Sequence, residues 1–198
     1  MLVGRRSSLV ELIERIVKLL MPEDPCHGVE HVLRVRDLAL RLGEAVPEPV
    51  DREILEIAAL LHDIGRVADP TNHAERSAEI ARLLLELSGY PRDRIGRVVE
   101  AILAHSYSGK RPALSIEAKV LSDADKLDAL GAIGIARVFA YGGRTGRSLE
   151  ASINHFHEKI LKLKEFMYTS VGRAIAEERH RFVEEFLERL YQELETKD

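Results

Sequence analysis

The chain has 198 residues, 45% hydrophobic and 31% charged, enough for one domain with a sizeable core. A net charge of −4 excludes a nucleic-acid binder that works by bulk electrostatics. The single cysteine, Cys26, excludes an internal disulfide and fits a cytoplasmic setting.

The chain opens with Ser8-Leu9-Val10-Glu11, which reads as a capping box. Leu9, Leu12, Ile13, Ile16, Leu19 and Leu20 then form one apolar helical face. Glu11, Glu14, Arg15 and Lys18 interrupt that run, so it is neither a signal peptide nor a membrane span. Pro22, Pro25 and Gly28 break it, and a second helix is predicted over about 29–42. Asp51 can cap a third helix, which Gly65 and Pro70 stop.

Asn72 and Glu75 suit the start of a fourth helix over 74–87, and Gly89 its close. Pro91 suits the first position of a fifth, reaching His105. A polar loop over 106–114 follows. Ser115 can cap a long sixth helix to about residue 141, apolar or small nearly all round and so placed at the centre of a bundle. Residues 142–147 read as a flexible basic loop. Ser148 restarts helix to about 167. Thr169 or Ser170 caps a last helix to about 195, with Ile175, Phe182, Phe186 and Leu190 inward. No strand alternation, repeat or low-complexity tract is evident. The reading is all-α, a single domain over 1–198. Its core spans about 22–142, with C-terminal helices over about 148–195 packed on it.

The chemistry concentrates on the adjacent pair His62–Asp63, at the end of the apolar run Ile57 to Leu61. An ionised carboxylate there is costly unless paired or bound to a cation. Imidazole and carboxylate together suit borderline divalent metals. Further ligands are sought in His31, which precedes the pair, and in Asp123 and Asp125, which follow it on a helix. Asp125 and Asp128 share a face; Asp123 points elsewhere. His27, four residues before His31, is a candidate for phosphate contact or support of a ligand. His73 and His105 sit at helix ends and can hold a second metal or meet a phosphate. Arg66, Lys110, Arg111, Lys126, Arg144 and Arg147 are the cations near this cleft or in loops, and arginine matches phosphate geometry.

Four stretches carry a resemblance: His27-Gly28-Val29-Glu30-His31; Leu60-Leu61-His62-Asp63-Ile64-Gly65; His73 to Ile80 with Ala104-His105-Ser106; and Ser122-Asp123-Ala124-Asp125-Lys126-Leu127-Asp128. Their order resembles the HD-domain superfamily of metal-dependent phosphohydrolases, in its small stand-alone form. The resemblance implies a helical bundle with a C-terminal helical extension. It implies one divalent metal, or two, among Mn, Zn, Fe, Co, Ni and Mg. The implied ligands are His31, His62, Asp63 and Asp125, with Asp123 the runner-up. It also implies hydrolysis of a phosphate ester or anhydride of a small molecule, typically a nucleotide or deoxynucleotide, as a pyrophosphohydrolase or nucleotidase. Asp63, Asp123 or His105 would handle the proton. Arg66, Lys126 and His73 would balance phosphoryl charge, and His27, Lys110, Arg144 and Arg147 would bind substrate. No nucleic-acid or membrane partner is expected, and a homodimer is left open. The alternative is a metal- or nucleotide-binding regulator with little turnover.

Overall fold

The computed structural model describes residues 7–109 and 111–195, and its regular structure is helical throughout. The α-helices are α1 (Ser8–Leu20), α2 (Val29–Ala45), α3 (Arg52–Leu61), α4 (His73–Leu87), α5 (Arg92–His105), α6 (Ile116–Asp128), α7 (Gly131–Thr145), α8 (Leu149–Glu158) and α9 (Ser170–Glu195). Short 3-10 turns occupy Ile64–Val67, Tyr107–Gly109 and Ile160–Phe166. Among the described residues no helix is long and apolar enough to cross a membrane.

Two helices lie at the centre. In α3 every residue from Ile54 to Leu61 is buried, so its apolar run is covered on all sides. In α6 nearly every residue is buried, including Glu117, Asp123, Lys126 and Asp128. Glu117 ties the two together: its carboxylate accepts from the Asp51 backbone N–H and from Arg97, both at 2.8 Å. Asp51 in turn caps α3 by accepting from the Ile54 N–H.

Several boundaries differ from the sequence reading. The cap of α1 is Ser7, not Ser8, and Val10, Ile13 and Val17 face inward while Leu12, Leu19 and Leu20 are exposed. Both stripes satisfy helical spacing, and packing on α3 selects the second. At α4 the Asn72 side chain makes no capping bond; Asp69 instead orders the turn before the helix, accepting from the Thr71 and Asn72 N–H groups. The expected long helix over 115–141 is two helices. The chain turns after Asp128, and Gly131 restarts it at φ 69°, a left-handed conformation that favours glycine. The Leu127 carbonyl at the break accepts from the Leu130 N–H at 3.1 Å and from Arg179 of α9 at 2.5 Å. The expected loop over 142–147 is mostly helix, ending at Gly146 in the same left-handed conformation. The expected helix from Ser148 to about 167 stops at Glu158 and continues as a 3-10 turn. Thr169 caps α9 through its hydroxyl, and Phe182 is exposed, with Val183 and Leu187 buried instead.

Gly65 sets the exit from α3. A Cβ there would stand 2.4 Å from the Ser77 backbone nitrogen and 2.5 Å from the His73 carbonyl oxygen. The turn carrying Asp63 is thereby pressed onto the start of α4, and Ser77 Oγ accepts from the Gly65 N–H at 2.9 Å. Gly65→Ala is expected to destabilise the protein by about 1–3 kcal/mol, because backbone rather than a flexible side chain must move. Thermal unfolding measures the cost.

Candidate metal centre

Five elements deliver side chains to one point. His31 comes from the first turn of α2, and His62 and Asp63 leave the end of α3. His73 is the first residue of α4, His105 the last of α5, and Asp125 lies near the end of α6. His31, His62, Asp63 and His105 are buried, and Asp125 is partly open to a cleft. Asp63 is the hub. Its Oδ1 lies 3.6 Å from His73 Nε2 and 3.7 Å from His105 Nε2. Its Oδ2 lies 3.6 Å from His31 Nε2 and 3.9 Å from His62 Nε2. Asp125 Oδ1 is 3.4 Å from His31 Nε2. Arg66 donates to Asp63 Oδ2 at 2.5 Å, while Oδ1 is buried with no hydrogen-bond partner.

The outward-facing nitrogens fix the tautomers. His62 Nδ1 lies 2.7 Å from the Ala59 carbonyl, His105 Nδ1 2.5 Å from that of Ile102, and His73 Nδ1 3.3 Å from that of Pro70. His31 Nδ1 lies 2.7 Å from Asp128 Oδ2. A carbonyl or carboxylate only accepts, so each Nδ1 carries a proton, and a ring in its neutral form turns a bare Nε2 inward. His31 Nε2 and His62 Nε2 then face each other at 3.4 Å. Two lone pairs at that distance call for a cation or a proton between them. Three overlapping groups can hold a metal: His31, His62 and Asp125; His62, Asp63 and His105; and His27, His31 and Asp63. Nitrogen and oxygen donors, an unpartnered buried carboxylate oxygen and fixed imidazoles together fit a borderline divalent cation.

Asp128 stands behind this centre. It accepts from Arg34 at 2.7 and 3.0 Å and from Arg137 at 2.8 Å, so two arginines hold the carboxylate that orients His31. Sequence reasoning placed Asp128 on the Asp125 face without giving it this role. Arg34, and Lys159 in the cleft wall, were missed. The three-residue spacing of the two aspartates was the available signal.

Burial holds His62 down to about 4 and His27 to about 3, so both are neutral at pH 7. Burial opposes charge on His31 as well, but its bonds to Asp125 and Asp128 outweigh it and raise its pKa. For His105 burial is likewise outweighed, here chiefly by Asp63. Burial alone would raise Asp63 and Asp125; the surrounding histidines, and Arg66 at Asp63, keep both well below the usual carboxylate range. A cation must displace the protons of His31 and His105, whose pKa values lie above the ordinary 6.5. Metal affinity is therefore expected to fall as pH drops through those raised values. Proton release on binding, measured by calorimetry in buffers of different ionisation heat, checks this.

The cleft beside the cluster, about 280 Å³, is lined by His27, Arg66, His73, Asp125, Lys126 and Lys159 among others. Arg66, His73 and Lys126 thus lie where the sequence put them. His27 Nδ1, buried and without a hydrogen-bond partner, is 3.9 Å from Asp63 Oδ2. Asp123 is not brought to the cluster. It accepts from the Tyr168 and Thr169 backbone N–H groups and the Thr169 hydroxyl at 2.7–2.8 Å, so its oxygens anchor the entry to α9. Neither the runner-up ligand role nor the proton-handling role fits that position. Arg144 pairs with Asp24 and lies over the Tyr141 ring, away from the cleft walls. Arg147 lines an adjoining cavity of about 260 Å³ with His27, Arg137 and Lys159. Lys110 lies outside the described residues.

With this geometry in place, comparison with known proteins defines the class. The HD domain family matches residues 28–130, the span that carries His31, His62, Asp63, His105 and Asp125. The chain belongs to the HD-domain family. It is 36% identical over 187 residues to the Bacillus subtilis protein YpgQ, covering 90% of each chain. The crystal structure of YpgQ in complex with ADP superposes with a TM-score of 0.78 at 34% identity, covering 96% of this chain and 100% of that one. An HD-superfamily hydrolase from Bacillus thuringiensis gives 0.76 at 38% identity, covering 95% and 97%.

Proposed function

We propose that the protein is a metal-dependent phosphohydrolase acting on a phosphate ester or anhydride of a nucleotide. The observation that carries this reading is the unpartnered, buried Asp63 Oδ1 in a ring of inward-facing imidazole nitrogens. His31, His62, Asp63 and Asp125 would hold the cation. When bound, a divalent metal acidifies water toward neutrality and withdraws charge from phosphoryl oxygens. The remaining work falls to the chain. Arg66, Lys126 and Lys159 line the cleft and offer cationic donors to the phosphate group. Arg66 is held by Asp63 and lies 3.2 Å from His73 Nε2, so its guanidinium is oriented before substrate arrives. His105, fixed through Nδ1, can take a proton at Nε2.

The nucleotide assignment is supported by the concentration of cations around one small cleft and by the ADP complex of the similar YpgQ. Manganese suits the mixed nitrogen and oxygen donors. The test is to incubate purified protein with manganese and a panel of nucleoside mono-, di- and triphosphates, with a chelated control, and to resolve products by ion exchange. Metal-dependent cleavage of a nucleotide is expected. Monophosphate with pyrophosphate would identify a pyrophosphohydrolase, and nucleoside with phosphate a nucleotidase. No product with metal bound overturns the reading.

A further inference from the structure

A second, larger cavity of about 650 Å³ opens beside the metal cleft, and the two share Ser106, Tyr107 and Lys126. Its walls differ in kind from the rest of the site. Tyr107, Phe166 and Tyr168 bring three aromatic rings to it, in a chain that is only 5% aromatic. Phe166 and Tyr168 are 49% and 42% exposed. Their positions are nonetheless fixed. Phe166 meets Tyr107 edge to face at 5.0 Å, and the Tyr168 hydroxyl accepts from the Ala113 N–H at 3.3 Å. Lys126 sits where the two cavities meet. It is buried, and its Nζ donates to the Ser122 carbonyl and hydroxyl at 3.0 and 2.5 Å and lies 5.3 Å from the centre of the Tyr168 ring. It has no ion-pair partner among the described residues, so its charge is available to a ligand.

We propose that this aromatic cavity receives the base of a nucleotide whose phosphates lie at the metal cluster, with Lys126 at the junction between the two parts. The assignment rests on the proposed function. A phosphate chain alone has no use for exposed rings, whereas every base has a π-face that stacks on them. The volume lies within the roughly 300–1,000 Å³ of small-molecule sites. The cavity on the other flank is lined by Arg137, Arg147 and Lys159, and its one tyrosine, Tyr141, already carries the Arg144 and Arg147 guanidiniums on its ring, so it suits phosphate better than a base. The asymmetry gives the ligand one orientation, base toward Phe166 and phosphates toward Arg66 and Lys159. Phe166 and Tyr168 lie outside the matched family span of 28–130 and Tyr107 inside it, so the C-terminal segment supplies two of the three rings.

The test is calorimetric titration of the intact protein with ADP and, separately, with inorganic pyrophosphate, in manganese. Phe166 is half exposed, so Phe166→Ala leaves the core intact; Phe166→Tyr keeps the ring. Phe166→Ala is expected to weaken ADP by about tenfold, the scale of one lost stacking contact, with pyrophosphate affinity unchanged. Phe166→Tyr is expected to restore ADP binding. Tyr168→Leu, which removes a second ring, should again weaken ADP alone. Unchanged ADP affinity in both ring-removal variants overturns the proposal. So does equal weakening of ADP and pyrophosphate, which would mark a general disturbance of the cleft. Wild-type protein that binds neither compound overturns the proposed function and this assignment together.

Discussion

Asp63→Ala is expected to lose bound divalent metal and turnover together. Asp63 is the residue the histidines face: four imidazole Nε2 atoms lie within 3.6–3.9 Å of its two oxygens. Removing the carboxylate leaves the imidazoles with Asp125 as the one remaining carboxylate of the proposed ligand set, too little negative charge to retain a dication. It also frees Arg66 from the partner that aims it. The loss should exceed the roughly 10–100-fold that follows removal of a group supporting a ligand. Metal analysis after dialysis, rates on the cleaved nucleotide and circular dichroism measure this. Retention of metal and full turnover in a folded variant would overturn the site.

Asp128→Asn tests the layer behind. The carboxylate takes bonds from His31, Arg34 and Arg137 at once, and an amide can accept only through its one oxygen. Some donor is left facing an NH₂ group, and His31 loses the acceptor that fixes its tautomer. Metal affinity is expected to fall by about 10–100-fold while His62, Asp63 and Asp125 remain in place. A second readout follows from pH. Burial alone would raise the Asp128 carboxyl, but the bonds from His31 and Arg34 hold it well below the usual range. A carboxylate with a depressed folded pKa adds stability above its unfolded value, and that stability is lost as pH falls toward the folded one. Wild-type protein should therefore lose stability on acidification below about pH 4, and Asp128→Asn should flatten that part of the curve. An unchanged acid limb would remove Asp128 from this role.

The order of the clustered side chains was legible because it depends only on residue types at helix ends. His62–Asp63 after an apolar run, His31 upstream and Asp125 downstream needed no knowledge of packing. The resemblance points to Asp125 over Asp123, whereas the physical reason, which face of α6 meets α2 and which meets the start of α9, is not reported by a single sequence. The same holds for α1, where two apolar stripes compete and only the α3 neighbour decides. The break between α6 and α7 was hidden because part of what braces it comes from far along the chain, Arg179 on the Leu127 carbonyl. Gly131 was a visible sign, but glycine inside an apolar helix reads equally as close packing. Arg34, Arg137 and Lys159 are ordinary surface charges until the fold points them inward.

The anchoring of α9 by Asp123 divides labour within the chain. The proposed metal ligands lie inside the matched span of 28–130, whereas Lys159, Phe166 and Tyr168, which line the cavities beside them, lie beyond it. One buried carboxylate on α6 fastens the second set to the first through two backbone N–H groups and a hydroxyl. Because those contacts read mostly main chain, the side chains of the tail are free to change without loosening the fastening. Selectivity can thus drift over generations while the reactive centre stays fixed, and an engineer can rewrite the walls without touching the hearth.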